Sequence, residues 1–119
     1  MTEDTGQLIA EMLEPECPTS RRSIGSPWLS PGRMYQQRWD DKTKAYGWFP
    51  RPFSTDPYAA FDALMRFAEV NPDHEVYYYF RSGEHIVYLY DEDGQFRGAK
   101  GNFAAAANDA LVQWVRSRE

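Results

Sequence analysis

An α+β fold is predicted for this 119-residue chain: an antiparallel sheet of about four strands with helices packed on it as an alpha-beta-alpha sandwich. Three observations predict it. Three segments repeat apolar residues at helical spacing, two aromatic runs flank Ser82-Gly83, and turn residues separate all of them. Residues 52–119 alone read as a continuous helix–hairpin–helix unit, and the length implies one domain spanning residues 1–119.

The elements follow in order. Gln7 to Leu13 carries Leu8, Ile9, Met12 and Leu13 on one helical stripe, closed by Pro15. Residues 14–32 hold Pro15, Pro18, Gly25, Pro27, Pro31 and Gly32 and read as an irregular loop, pinned by Trp28 and Leu29. Met34 to Trp39 and Lys44 to Phe49 alternate as strands around the turn Asp40-Asp41-Lys42-Thr43. Asp56 caps the next helix and Pro57 suits its first position, where the missing N–H has no helical acceptor anyway. Tyr58, Phe61, Leu64, Met65 and Ala68 are expected on its core face, opposite Asp62, Arg66 and Glu69, and Asn71-Pro72 ends it.

Glu75 to Arg81 and His85 to Tyr90 are rich in β-branched and aromatic residues, as strands are. Val76, Tyr78 and Phe80 share one face and Tyr77 and Tyr79 the other, so both faces are apolar. Asp93-Gly94 is expected as a tight turn, with Gln95 to Ala99 adding a short strand. Asn102 caps the closing helix, whose stripe is Phe103, Ala106, Ala107, Ala110, Leu111 and Trp114.

Composition limits the function classes. Cys17 is the only cysteine, which excludes an intrachain disulfide and a cysteine-based zinc site and fits a reducing compartment. No apolar run approaches the ~20 residues that span a bilayer. The acidic start, Met1 to Asp4, lacks the basic beginning of a signal peptide. The net charge of −5 is segregated: residues 1–20 carry five acids and no Lys or Arg. Residues 21–51 carry seven bases and two acids, and residues 52–119 six bases and eleven acids.

Sites of chemistry are weakly marked. His74 and His85 have no glycine-flanked serine near them, and Ser54 and Ser82 form no such elbow, so both histidines read as ordinary surface residues. In Asp91-Glu92-Asp93-Gly94 the glycine falls at the fourth position, where a calcium loop needs it at the sixth, so the run reads as a solvated turn. Gly94, Gly98 and Gly101 lack the spacing of a phosphate loop and read as turn glycines. Ser54-Thr55-Asp56 reads as a helix cap rather than an anion site. No catalytic residue, metal site or cofactor is expected.

Two binding surfaces remain open. The tyrosines Tyr77, Tyr79, Tyr88 and Tyr90 form either core rings with hydroxyls at the edge or an exposed recognition face. The stretch from Arg21 to Arg51 interleaves Arg33, Arg38, Lys42 and Lys44 with Trp39, Trp48 and other rings. That pattern suits an amphipathic hairpin, a protein contact or nucleic acid.

Phe53-Ser54-Thr55-Asp56 followed by Ala59-Ala60-Phe61 resembles the tyrosine-serine-threonine-aspartate start and alanine-alanine-tryptophan helix of the phage ABA-sandwich domain family. Leu8-Ile9-Ala10-Glu11 is similar to that family's opening helix, and Ala104 to Leu111 to its alanine-rich closing helix. Phe61 stands where the family more often has Trp, and Asn108-Asp109 replaces the arginine or cysteine expected there. The resemblance implies a small phage or prophage protein acting in the cytoplasm of a bacterial host, with no established enzyme activity to carry over. The expectation is a non-enzymatic interaction protein that binds a host protein or defence complex, as an anti-CRISPR inhibitor does. Its carboxylates Glu75, Glu84, Asp91, Glu92 and Asp93 would stand in for phosphates, with Tyr77 and Tyr79 as anchors. The alternative is a nucleic-acid-binding accessory protein using residues 21–51.

Overall fold

The computed structural model describes residues 5–14, 33–42, 44–70 and 72–118. The fold is α+β, with helices α1 (Thr5–Leu13), α2 (Pro57–Val70) and α3 (Phe103–Ser117). The strands are β1 (Tyr35–Asp40), β2 (Ala45–Pro50), β3 (Glu75–Arg81), β4 (Glu84–Asp91) and β5 (Gly94–Lys100). The expected sheet of about four strands is resolved into two antiparallel sheets, β1-β2 and β3-β4-β5. The contacts divide the chain into two compact units, Met1–Arg51 and Pro52–Glu119, each described by itself. No helix among the described residues is long and apolar enough to cross a membrane.

In the first unit Ile9, Ala10 and Leu13 of α1 are buried, with Leu8 and Met12 half-buried beside them. The stripe expected from the sequence therefore faces inward. Glu14 continues the last turn through its N–H to the Ala10 carbonyl, and its buried carboxylate accepts the Met34 N–H at 2.7 Å. A buried carboxylate needs such donors to offset its lost hydration. The start of β1 is closed in turn by the Arg51 N–H, which donates to the Met34 carbonyl at 3.0 Å. The hairpin pairs Trp39 with Tyr46 and Gln37 with Trp48. Lys44 takes the left-handed conformation its turn requires, at φ 56°. The expected loop and its anchors Trp28 and Leu29, with Cys17, Arg21 and Arg22, lie outside the described residues, as do Thr43 and Asn71.

In the second unit Asp56 caps α2 by accepting the Tyr58 N–H at 2.9 Å, and Pro57 opens the helix as its fixed φ favours. Of the stripe expected on the core face only Leu64 is buried. Ala59, Ala60, Ala63, Leu64 and Phe67 are buried, while Tyr58, Phe61 and Met65 are exposed. Small side chains win the inner face because α2 approaches α3, whose own inner face is Ala106, Ala107 and Ala110. Close helix approach leaves no room for rings except Phe67 and Trp114, which meet edge to face at 4.9 Å.

Ser82 and Gly83, at φ 53° and 80°, make the two-residue turn that joins β3 and β4. Both left-handed residues fit the primed turn whose twist matches paired strands. The second hairpin turns one residue earlier than expected: Glu92 and Asp93 span it, and Gly94 opens β5 opposite Asp91. Asp91 Oδ1 fixes this turn by accepting the N–H of Asp93 and of Gly94 at 2.8 and 3.1 Å. Asn102 caps α3 as expected, its side chain accepting the Ala105 N–H at 2.8 Å.

Strand register puts Val76, Tyr78, Val87, Leu89 and Gly98 on one face of the sheet. Both α2 and α3 lie on that face. The other face of β3 and β4 carries Tyr77, Tyr79, Tyr88 and Tyr90.

Candidate interaction surface

The tyrosine face answers the question that the sequence left open. Tyr77 is 52% exposed and Tyr79 41%, so these rings are not core. Tyr88 and Tyr90 are half-buried beneath them. Cross-strand pairing sets the cluster: Tyr77 sits opposite Tyr88, and Glu75 opposite Tyr90. Tyr77 meets Tyr90 edge to face at 5.4 Å, Tyr79 stacks on Tyr88 at 6.0 Å, and Tyr88 on Tyr90 at 6.2 Å. With Glu75 and Gln95 these rings line a shallow basin of about 520 Å³.

The hydroxyls and charges of the basin are held in place. The Tyr77 hydroxyl donates to Glu75 Oε2 at 2.7 Å, which makes its proton harder to remove and raises its pKa. The Arg97 guanidinium lies 5.9 Å from the Tyr88 ring centre. The Tyr88 hydroxyl is shifted below the ordinary tyrosine value, because hydrogen bonds from Tyr79 and then Arg97 stabilise its phenolate. Tyr79, the donor of that pair, is shifted upward by the same bond. In a spectrophotometric titration, Tyr88 is therefore expected to ionise before Tyr77 and Tyr79. Tyr88→Phe should abolish the early phase of tyrosinate absorbance, and Arg97→Ala should move it to higher pH.

The five expected carboxylates do not form one acidic patch. Glu75 belongs to the tyrosine basin, and Glu84 lies at the opposite end of the sheet beside the Ser82-Gly83 turn. The Asp91 side chain is fully buried against the Trp114 indole and Arg118. Asp93 pairs with Arg118 at 3.0 Å, leaving Glu92 exposed at the turn. Two of the expected phosphate mimics thus serve the fold. The sequence offered no sign of this, since the partners stand more than twenty positions away.

The basic aromatic hairpin is also divided. Trp39 and Tyr46 are exposed and meet edge to face at 5.3 Å, with Trp48 on the same strand face. Arg38 points to the other face and covers the Phe49 ring at 4.5 Å. Lys42 and Lys44 stand in the turn, and Arg33 lends its carbonyl to the Arg51 guanidinium at 2.9 Å. Stacking rings and phosphate-neutralising bases do not share one track, as a single-strand groove requires.

The histidines take different places. His85 is half-buried with its Nδ1 2.8 Å from the Tyr78 hydroxyl. His74, expected at the surface, is buried: it stacks on Phe67 at 4.6 Å and its Nδ1 lies 3.0 Å from the Phe67 carbonyl. That carbonyl can only accept, so Nδ1 carries the proton. Neither ring has a serine, threonine or cysteine among these contacts. Among the described residues no group of three or more His, Cys, Asp or Glu side chains could hold a metal ion.

A second surface lies on the helix side and escaped the sequence reading. Phe61, Leu64 and Met65 of α2, Val76 and Tyr78 of β3, and Phe103 of α3 line an apolar groove of about 440 Å³. Tyr78 meets Phe103 edge to face at 5.2 Å, and Phe80, next along the strand face, is 60% exposed. The signal was present in the dense rings of β3, but only the rotation of α2 exposes Phe61 and Met65. Comparison with protein-family models, with curated proteins and with solved structures finds no match for this chain.

Proposed function

We propose that this chain is a non-enzymatic interaction protein of phage type that binds a protein of its bacterial host, such as a component of a defence complex, through the tyrosine face of its three-stranded sheet. The single observation that carries this reading is the exposure of Tyr77 and Tyr79 above Tyr88 and Tyr90 in one basin with Glu75. Tyrosine supplies large apolar area at low entropic cost while its hydroxyl stays satisfied at the rim, which is why it anchors protein interfaces. The ring network is fixed in advance by hydrogen bonds and stacking, so binding orders little. Contact therefore rests on rings with Glu75 as an acidic neighbour, rather than on a broad row of phosphate-like carboxylates.

The test is a pull-down from bacterial lysate after nuclease treatment, with wild type beside Tyr77→Ser/Tyr79→Ser. One stoichiometric protein recovered by the wild type and lost by the variant is the expected result. Recovery of that protein by both, or of none by either, would overturn the reading. Because both rings are exposed, the variant should keep the wild-type circular dichroism spectrum.

A further inference from the structure

We propose that β3 pairs antiparallel with β3 of a second copy of this chain, joining two three-stranded sheets into one of six strands. The two edges of the sheet are treated differently. The β5 edge is capped: Gln113 of α3 donates to the Arg97 carbonyl at 2.7 Å and accepts its N–H at 3.4 Å. The β3 edge pairs with no strand among the described residues. It runs seven residues in unbroken register, with no proline, glycine, lysine or bulge to discourage pairing, and every residue but Val76 is exposed. A long bare edge of that kind is a template for another strand.

The strand is also complementary to itself. In Glu75-Val76-Tyr77-Tyr78-Tyr79-Phe80-Arg81, a two-fold axis through Tyr78 sets Glu75 against Arg81 of the second copy at both ends. Opposite charges directly across a ladder favour that register, and a shift by two residues loses both pairs. The hydrogen-bonding phase agrees. Arg81 and Glu84 close a two-residue turn, so Arg81, Tyr79, Tyr77 and Glu75 direct their backbone groups toward β4. The N–H and C=O of Val76, Tyr78 and Phe80 then face the open edge. A ladder centred on Tyr78 uses these groups, pairing Tyr78 with Tyr78 and Val76 with Phe80.

Paired residues share a sheet face, so the second copy's Phe80 lies beside Val76 on the helix side. There it covers the apolar groove lined by Phe61, Met65 and Val76, and the exposed Phe80 ring leaves water. The same two-fold places both tyrosine basins on one continuous face. The inference goes beyond the host-protein reading and does not depend on it.

Sedimentation velocity at micromolar concentration tests the pairing by charge exchange at two exposed positions. Wild type is expected to sediment as a dimer, and Glu75→Arg alone and Arg81→Glu alone as monomers. An equal mixture of the two single variants should return to a dimer, because each copy then offers the charge the other needs. A monomeric wild type, a dimer that survives both single reversals, or a mixture that stays monomeric would each overturn the proposal. Circular dichroism of each variant checks that folding is unchanged. A monomer that still captures a host protein through Tyr77 and Tyr79 would sink this inference and leave the tyrosine-face reading standing.

Discussion

Gly98→Ala is expected to lower the thermal midpoint of the second unit by roughly 12 °C or more, the equivalent of about 3 kcal/mol at 4–8 °C per kcal/mol. Gly98 sits in β5 opposite Val87, on the face covered by α3. A Cβ there would stand 1.9 Å from the Ala106 carbonyl oxygen and 2.9 Å from its carbon. Both atoms are backbone, so no rotamer change relieves the clash, and the whole helix must withdraw from the sheet. Overpacking a core by one methyl commonly costs about 1–3 kcal/mol, and a rigid backbone neighbour puts this site at the upper end. Withdrawal would also loosen Ala106, Ala107, Ala110 and Leu111, all of them buried. Gly94→Ala is the control, since nothing lies within 4 Å of a Cβ there and its φ is not positive. That substitution should change stability by no more than about 0.5 kcal/mol. Thermal melts followed by circular dichroism separate the two outcomes. Equal midpoints for the two variants would contradict the close approach of α3.

Gly98 also shows what kind of information the sequence withholds. Its neighbours Gly94 and Gly101 suggested turn geometry for all three glycines. A glycine inside a strand facing an alanine-rich helix has another meaning, which is close approach of backbone to backbone. Local features were legible: the caps Asp56 and Asn102, the Ser82-Gly83 turn and the alternation of β3 depend on neighbours within four residues. The inner face of α2 was not, because hydrophobicity favours burying Phe61 and Met65, whereas helix approach favours alanine. His74 was misplaced for a similar reason. It follows a proline in a turn, yet Phe67, a full seven positions earlier, folds back to cover it. The candidate site was legible as a set of tyrosines and not as a surface, since alternation fixes which rings share a face but not which face the helices take.

Asp91→Asn is expected to destabilise the second unit at neutral pH by about 3 kcal/mol, with the loss concentrated in one buried carboxylate. Asp91 joins three elements. Its Oδ1 holds the β4–β5 turn through the N–H groups of Asp93 and Gly94, and its Oδ2 accepts the Trp114 indole N–H at 2.9 Å and the Arg118 guanidinium. Burial by itself pushes the pKa up, but donation from the Asp93 N–H, Arg118 and Trp114 outweighs it, and the result is below the usual carboxylate value. An asparagine turns one of the two acceptors into a donor. Either the turn or the Trp114–Arg118 pair then faces an N–H with no acceptor, and Arg118 loses one of its two carboxylate partners. The pH dependence fixes the sign. A carboxyl whose folded pKa is depressed contributes stability that is fully present above its unfolded pKa, near about 4, and is lost as pH falls through the lower folded value. The gap between wild type and Asp91→Asn should therefore be largest near neutrality and should narrow only below about pH 4. It should narrow because the wild type weakens, while the asparagine at this position has no proton to take up. Urea denaturation at neutral and at acid pH measures both stabilities. A gap that stays constant across that range would show that shape, and not the carboxylate charge, is what Asp91 contributes.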